Sequence, residues 1–354
     1  MRLLNLFLQN FRNYSKHKFD FSPKTTLIIG PNTCGKSNLI EAVFFLSKGE
    51  SFRVDRDEQL VKFGENLARI KGRLGDKELE AVIAQGGVSG HLRPFKKYLV
   101  NGVSRRRVDF VGNFFAVLFA PNDLDIIIGS PSKRRDFIDH ILTEVDRDYR
   151  LTLGFYEKGL RIRNALLHKI RETGKRSEKE FLYWDNLLIS QGQKITEKRE
   201  SFIRYLEQSK KEILDFKIFY DKSIISKDRL LQYKDAEVGA GVTMVGPHRD
   251  DFILNLKANP SAGGEPHDIK FFGSRGQQRL AALQLKILEL IYVTKTTGEQ
   301  PVLLLDDILS ELDEEHIDLV LSMLGGQQTI LTTTHKEFIP KKISNKAVLI
   351  DVDK

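Results

Sequence analysis

Eight residues, Gly30-Pro31-Asn32-Thr33-Cys34-Gly35-Lys36-Ser37, follow the spacing G-x-x-x-x-G-K-[ST]. These residue types suit one chemistry. Glycines let the chain bend so that successive backbone N–H groups face phosphate oxygens. A helix starting there adds partial positive charge. Lys36 would then reach the β- and γ-phosphates of a nucleotide, and the Ser37 hydroxyl would hold Mg²⁺. All eight residues are therefore candidate nucleotide ligands. The surroundings agree. Thr25 to Ile29 (TTLII) is a β-branched run before the loop, and Leu39, Ala42, Val43 and Leu46 repeat with helical spacing after it.

A second element is Val302-Leu303-Leu304-Leu305-Asp306-Asp307, an apolar run ending in two acids. A buried strand of this kind delivers a carboxylate beside a P-loop, so Asp306 is the candidate Mg²⁺ ligand. Asp307 lies one residue on and is placed to take a proton from an attacking water. A third element is Phe272-Gly273-Ser274-Arg275-Gly276-Gln277-Gln278-Arg279. Ser274 and the Gly276 amide at a helix start offer an anion site. Ser274 with Gln277 three residues on also spells a capping box, and both readings can hold together.

The elements that must position these residues are legible in outline. Leu3 to Leu8 reads as a first strand, and Lys16 to Phe21 alternates with His17, Phe19 and Phe21 on one face. Between about Arg69 and Val111 short strands and turns follow, with Asn101-Gly102 as a two-residue hairpin turn. From Ser132 to about Gln232 the pattern is long helices, broken at Arg171 to Glu180, which holds no apolar residue. This predicts a helical hairpin or small bundle inserted into an α/β domain. Arg279 to Val293 reads as a buried helix, and Thr329 to Thr333 and Ala347 to Val352 as two more strands. The expected domains are 1–129, N-terminal head; 130–236, inserted helical lobe; and 237–354, C-terminal head.

Composition narrows the function class. The chain has 354 residues, 41% hydrophobic and 29% charged, which suits a globular protein and excludes bulk disorder. Its single cysteine, Cys34, excludes an internal disulfide framework and a cysteine-rich metal site. No secretory leader or membrane-length apolar run is read, so the expectation is a cytoplasmic protein with no membrane partner. Lys plus Arg is 56 against 48 for Asp plus Glu, a net charge of +8 that favours polyanions. Lys96, Lys97 and Arg105-Arg106-Arg107 form the densest basic cluster, fit either for phosphate contact or for a solvated strand face. Nothing suggests sequence-specific readout.

The ordered set of P-loop, S-x-G-Q-Q, Asp-ended strand, Ser310-Glu311-Leu312-Asp313 and His335 resembles an ABC-type ATPase head. The long helical insertion resembles the SMC-like branch. Phe11-Arg12-Asn13-Tyr14, Gly35-Lys36-Ser37-Asn38-Leu39-Ile40-Glu41-Ala42, Ser51-Phe52-Arg53, Phe119-Ala120-Pro121-Asn122-Asp123-Leu124, Gly129-Ser130-Pro131 with Arg134-Arg135, and Gly246-Pro247-His248-Arg249-Asp250-Asp251 are similar to the RecF family. These stretches span nearly the whole chain.

The resemblance implies an ATP-driven homodimer, with the P-loop and Asp306 of one subunit facing Ser274, Gly276 and Gln277 of the other. It implies Asp307 as catalytic base, Lys36 and His335 at the γ-phosphate, and Asp313 at the dimer interface. Arg12 and Arg53 would lie near the nucleotide, and Asn122 and Asp123 where a Gln loop falls in related ATPases. The implied function is ATP-dependent binding of duplex DNA near single-strand gaps in recombinational repair and replication restart. RecR would be the partner, with RecO and RecA reached indirectly. The resemblance implies a weak DNA-stimulated ATPase, and Asp307 in place of a longer Glu points to slow hydrolysis. The alternatives are an SMC-like clamp with little hydrolysis and an ABC ATPase subunit of a transporter. Thr33-Cys34 departs from the more usual Asn-Gly, and a β-branched Thr resists positive φ. His248 suits nucleotide contact or a packed turn. A helix N-terminus lowers a thiol pKa, so Cys34 is a candidate for oxidation, though a small loop residue explains it more simply.

Overall fold

The computed structural model describes residues 2–87, 93–256, 267–308, 326–334 and 347–352. They fall into two compact units, residues 1–123 with 286–354, and residues 124–285. The strands in chain order are β1 (Asn5–Phe11), β2 (Tyr14–Asp20), β3 (Thr25–Ile29), β4 (Leu67–Leu74), β5 (Lys77–Ala84), β6 (Phe95–Val100), β7 (Val103–Arg105), β8 (Ala116–Phe119), β9 (Phe216–Asp221), β10 (Asp251–Leu256), β11 (His267–Asp268), β12 (Val302–Asp306), β13 (Thr329–Thr333) and β14 (Val348–Asp351).

In the first unit two sheets enclose one helix. The antiparallel sheet runs β2-β1-β4-β5-β6-β7, and the parallel sheet runs β14-β3-β13-β12-β8. The helix Lys36–Lys48 packs against β4 and β5 on one side and β8, β12 and β13 on the other. That explains its sequence: Leu39, Ile40, Ala42, Val43, Phe44, Phe45 and Leu46 are all buried, because no face is left for water. The helix stops at Gly49, which is left-handed (φ 69°) and donates its N–H to the Phe45 carbonyl. The parallel strands β12 and β13 are buried throughout, as strands covered on both faces must be. Asn101 and Gly102 sit at φ 49° and 76° between β6 and β7, the type I′ geometry expected of that dipeptide.

Along β2 His17 and Phe19 share one face, as the alternation predicts, and their rings stack with 6.0 Å between centroids. Phe19 and Phe21 are buried, while His17 is exposed on this edge strand.

The second unit carries the long helices. Pro131–Val145, Arg147–Thr173 and Glu178–Gln208 follow one another, and the last two form a hairpin. The turn between them lies inside the apolar-free stretch 171–180, with Gly174 left-handed at φ 69°. β9, β10 and β11 form a three-stranded antiparallel sheet. The β9–β10 pairing explains why 237–285 clusters with the inserted helices rather than with the flanking head segments, where the sequence reading put it. No helix among the described residues is long and apolar enough to cross a membrane.

Candidate functional site

The site lies at the C-terminal ends of the parallel strands, the usual place for ligands in such sheets. β3 ends at Ile29 and the chain turns through Gly30–Gly35 into the helix Lys36–Lys48. Gly35 takes φ 114°, and a Cβ there would sit 2.5 Å from Asn13 Nδ2. At Gly30 a Cβ would sit 2.7 Å from Cys34 Sγ. Thr33 carries the strain anticipated for a β-branched residue, at φ 72°. Lys36 is largely buried, and its Nζ donates to the carbonyls of Gly30 (2.7 Å) and Pro31 (2.8 Å).

β13 separates β3 from β12 and contributes the side chain that organises the acids. Ser37 Oγ donates to Asp306 Oδ1 at 3.0 Å, and Thr332 Oγ1 donates to the same oxygen at 2.8 Å. Thr332 Oγ1 also accepts the Asp307 N–H at 3.0 Å. Asp307 itself is in the left-handed region, φ 52°. Sequence reasoning places Thr332 only in the strand Thr329 to Thr333 and does not find it as a site residue, because its two-way hydrogen bonding depends on the strand order.

The β1–β2 turn hangs over the loop. Asn13 Nδ2 donates to the Cys34 carbonyl at 2.8 Å, and Tyr14 OH donates to the Gly35 carbonyl at 3.0 Å. Burial and the neighbouring Cys34 raise the Tyr14 pKa, so the hydroxyl stays a donor. Arg12 and Arg53 converge on one buried carboxylate, Glu41: Arg12 Nε and Nη2 reach it at 2.8 and 2.7 Å, and Arg53 Nη1 lies 3.7 Å away. Asn122 and Asp123 follow the C-terminal end of β8, beside β12, and Asp123 Oδ2 accepts the Ala120 N–H.

In the second unit Ser274 and Gln277 form the capping box: Gln277 N–H donates to Ser274 Oγ at 3.2 Å and Ser274 N–H to Gln277 Oε1 at 2.8 Å. Ser274 and Gly276 are exposed at the start of the helix Arg275–Thr297. His248 resolves as a packed turn. Its Nδ1 meets Tyr156 OH at 2.8 Å and its Nε2 meets the Thr243 carbonyl at 3.0 Å. The acids beside it are structural too. Arg199 pairs with Asp139 at 2.7 Å and with Asp250 at 3.1 Å, and Arg134 pairs with Asp251 at 2.6 Å. His335 and residues 310–313 lie outside the described residues.

The donor set fits a nucleotide and a hard cation. The loop amides and the Lys36 ammonium suit phosphate, and the convergent Ser37 hydroxyl and Asp306 carboxylate are oxygen ligands of the kind Mg²⁺ takes.

Residues 2–352 match the RecF/RecN/SMC N terminal domain family. The chain is 34% identical to the DNA replication and repair protein RecF of Moorella thermoacetica, over 99% of this chain and 94% of that one. It is 35% identical to the protein of the same name from Ligilactobacillus salivarius, over 100% and 96%. A solved structure of the recombination mediator protein RecF with ATP, in the RecFOR pathway, superposes with a TM-score of 0.84 at 34% identity, covering 96% of this chain and 93% of that one. The chain therefore belongs to the RecF family of DNA replication and repair proteins, built on the ABC-type ATPase head.

Proposed function

We propose that this chain binds ATP with Mg²⁺ at the P-loop, dimerises in response, and holds duplex DNA near single-strand gaps. Slow, DNA-stimulated hydrolysis then releases the DNA. The observation that carries the reading is the convergence of Ser37 and Asp306 beside Lys36 at one end of the parallel sheet. The relative solved with ATP and named for the RecFOR pathway supports both nucleotide and pathway. We extend this to RecR as the direct partner, with RecO and RecA reached through it.

The residues would act as follows. Lys36 exchanges two loop carbonyls for phosphate oxygens, an exchange that keeps its buried ammonium partnered throughout. Ser37 and Asp306 would hold Mg²⁺, which would supply positive charge to offset that of the phosphates. Asp307 takes the proton from the attacking water. Thr332 fixes both acids by one hydroxyl. Ser274, Gly276 and Gln277 of a second copy supply N–H and hydroxyl donors to the phosphates. His335 stands at the γ-phosphate.

The test is sedimentation of wild type and Lys36→Met with no nucleotide, ADP, or ATP plus Mg²⁺, each with and without a gapped duplex. An ATP-only dimer that retains the duplex, lost in Lys36→Met, supports the reading. A monomer under every condition, with no DNA shift, overturns it.

A further inference from the structure

Arg12 and Arg53 share Glu41, but they do not stand in the same relation to it. Glu41 is fully buried, on the helix that begins at Lys36. A buried carboxylate needs a charge partner and hydrogen bonds, or it costs several kcal/mol. Arg12 supplies both. Its guanidinium grips Glu41 bidentately, and its Nη1 donates to the Gln59 carbonyl at 3.1 Å. Ser51 Oγ adds a donor to Glu41 Oε1 at 2.5 Å. One carboxylate is thus matched by one cation.

Arg53 is the surplus. Its side chain is 39% exposed against 18% for Arg12. It lies at 3.7 Å from Glu41 and is aimed by a hydrogen bond from Nη1 to Asn38 Oδ1 at 2.8 Å. Asn38 directly follows Ser37, and its own Nδ2 donates to Asn13 Oδ1 at 2.8 Å. Asn13 in turn holds the Cys34 carbonyl of the P-loop. Ser51, which bonds Glu41, also accepts the Arg53 N–H at 2.9 Å. Two guanidiniums and one carboxylate leave one positive charge, and the more exposed one carries it.

We propose that Glu41 is a positioning residue for nucleotide binding: neutralised by Arg12 and linked to Arg53 directly and through Ser51, while Asn38 holds the Arg53 guanidinium from the other side, it sets Arg53 to receive the anionic nucleotide. Arg12 acts as the counterion of Glu41 and not as a ligand. This rests on the P-loop reading above. It also ties Arg53 to the loop, because the Arg53–Asn38–Asn13 chain of hydrogen bonds ends on a P-loop carbonyl.

The test is calorimetric titration of the full chain with Mg²⁺-ATP. Arg53→Ala is expected to weaken ATP about tenfold, the scale of one charge-assisted contact. Glu41→Gln, which keeps the shape and removes the charge, should weaken it equally. The double variant should be no weaker than either single one, because the two act as a unit. Arg53→Lys should restore most of the affinity in the wild-type background but not beside Glu41→Gln. If Glu41→Gln fails to fold, the half-exposed Asn38→Ala runs the same cycle against Arg53→Ala. Effects of Glu41 and Arg53 that multiply, or an Arg53→Ala variant with wild-type affinity, overturn the proposal. Lys36→Met run alongside separates the two readings: if it too binds ATP normally, the P-loop site is what fails.

Discussion

Ser37 Oγ and Asp306 Oδ1 meet at 3.0 Å although 269 residues separate them. They meet because β3 and β12 are separated only by β13 and all three strands run the same way. The strand order alone therefore brings a hydroxyl and a carboxylate from opposite ends of the chain into hydrogen-bond contact.

Thr332 is the hinge of this arrangement. Thr332→Val keeps the β-branched shape but removes the hydroxyl, leaving the Asp307 N–H without its acceptor and Asp306 short of a donor. We expect a loss of about 1–3 kcal/mol in denaturant unfolding. Single-turnover hydrolysis should fall further than ATP affinity does.

Thr33 sits at φ 72°, where a β-branched residue is strained and asparagine is tolerated. Thr33→Asn should therefore stabilise the first unit by about 1 kcal/mol in thermal unfolding. An unchanged midpoint would show that the loop relaxes around threonine.

His248 gives the second unit an acid limit. Burial, with Arg249, Arg135 and Arg199 nearby, lowers its pKa from the ordinary 6.5 to about 4, although its contact with the Thr243 carbonyl works the other way. The folded form thus resists protonation that the unfolded chain accepts. This contribution to stability is complete above pH 6.5 and is lost as pH falls toward 4, at about 1.4 kcal/mol per pH unit. His248→Gln should flatten that part of the pH profile, read by denaturant titration at half-unit steps.

Ser274 separates folding from assembly. Aspartate caps a helix as well as serine does, so Ser274→Asp should hold stability within about 0.5 kcal/mol. Its carboxylate would face incoming phosphate, and the proposed ATP-dependent dimer should not form in sedimentation. A dimer that persists would remove Ser274 from the proposed nucleotide contacts.

What could be read from the chain was whatever is local. The P-loop, the Asn101-Gly102 turn, the Ser274–Gln277 cap and the limits of β3 and β13 each depend on a few neighbouring residues. Partnerships across the fold were illegible. Asp250 stands in a stretch similar to the RecF family, but nothing local shows that it meets Arg199 and the Tyr220 hydroxyl, from a helix and a strand far off in sequence. Glu41 belongs to the family-like stretch Gly35 to Ala42, but nothing local shows that the β1–β2 turn and the 51–53 turn bring two arginines to it. Arg12 and Arg53 were expected together near the nucleotide, but the difference in their roles needed hydrogen-bond distances.

The order of the parallel sheet has a consequence for how the protein is made. β3 leaves the ribosome well before either of its sheet neighbours, because β13 starts 300 positions after β3 ends and β14 follows β13. At about 5–20 residues per second, the 300 residues between the start of β13 and the end of β3 take about 15–60 s to synthesise. Throughout that interval the P-loop strand has no sheet to join. A chain cut short by damage or by a premature stop would carry the whole phosphate loop and still be unable to assemble it.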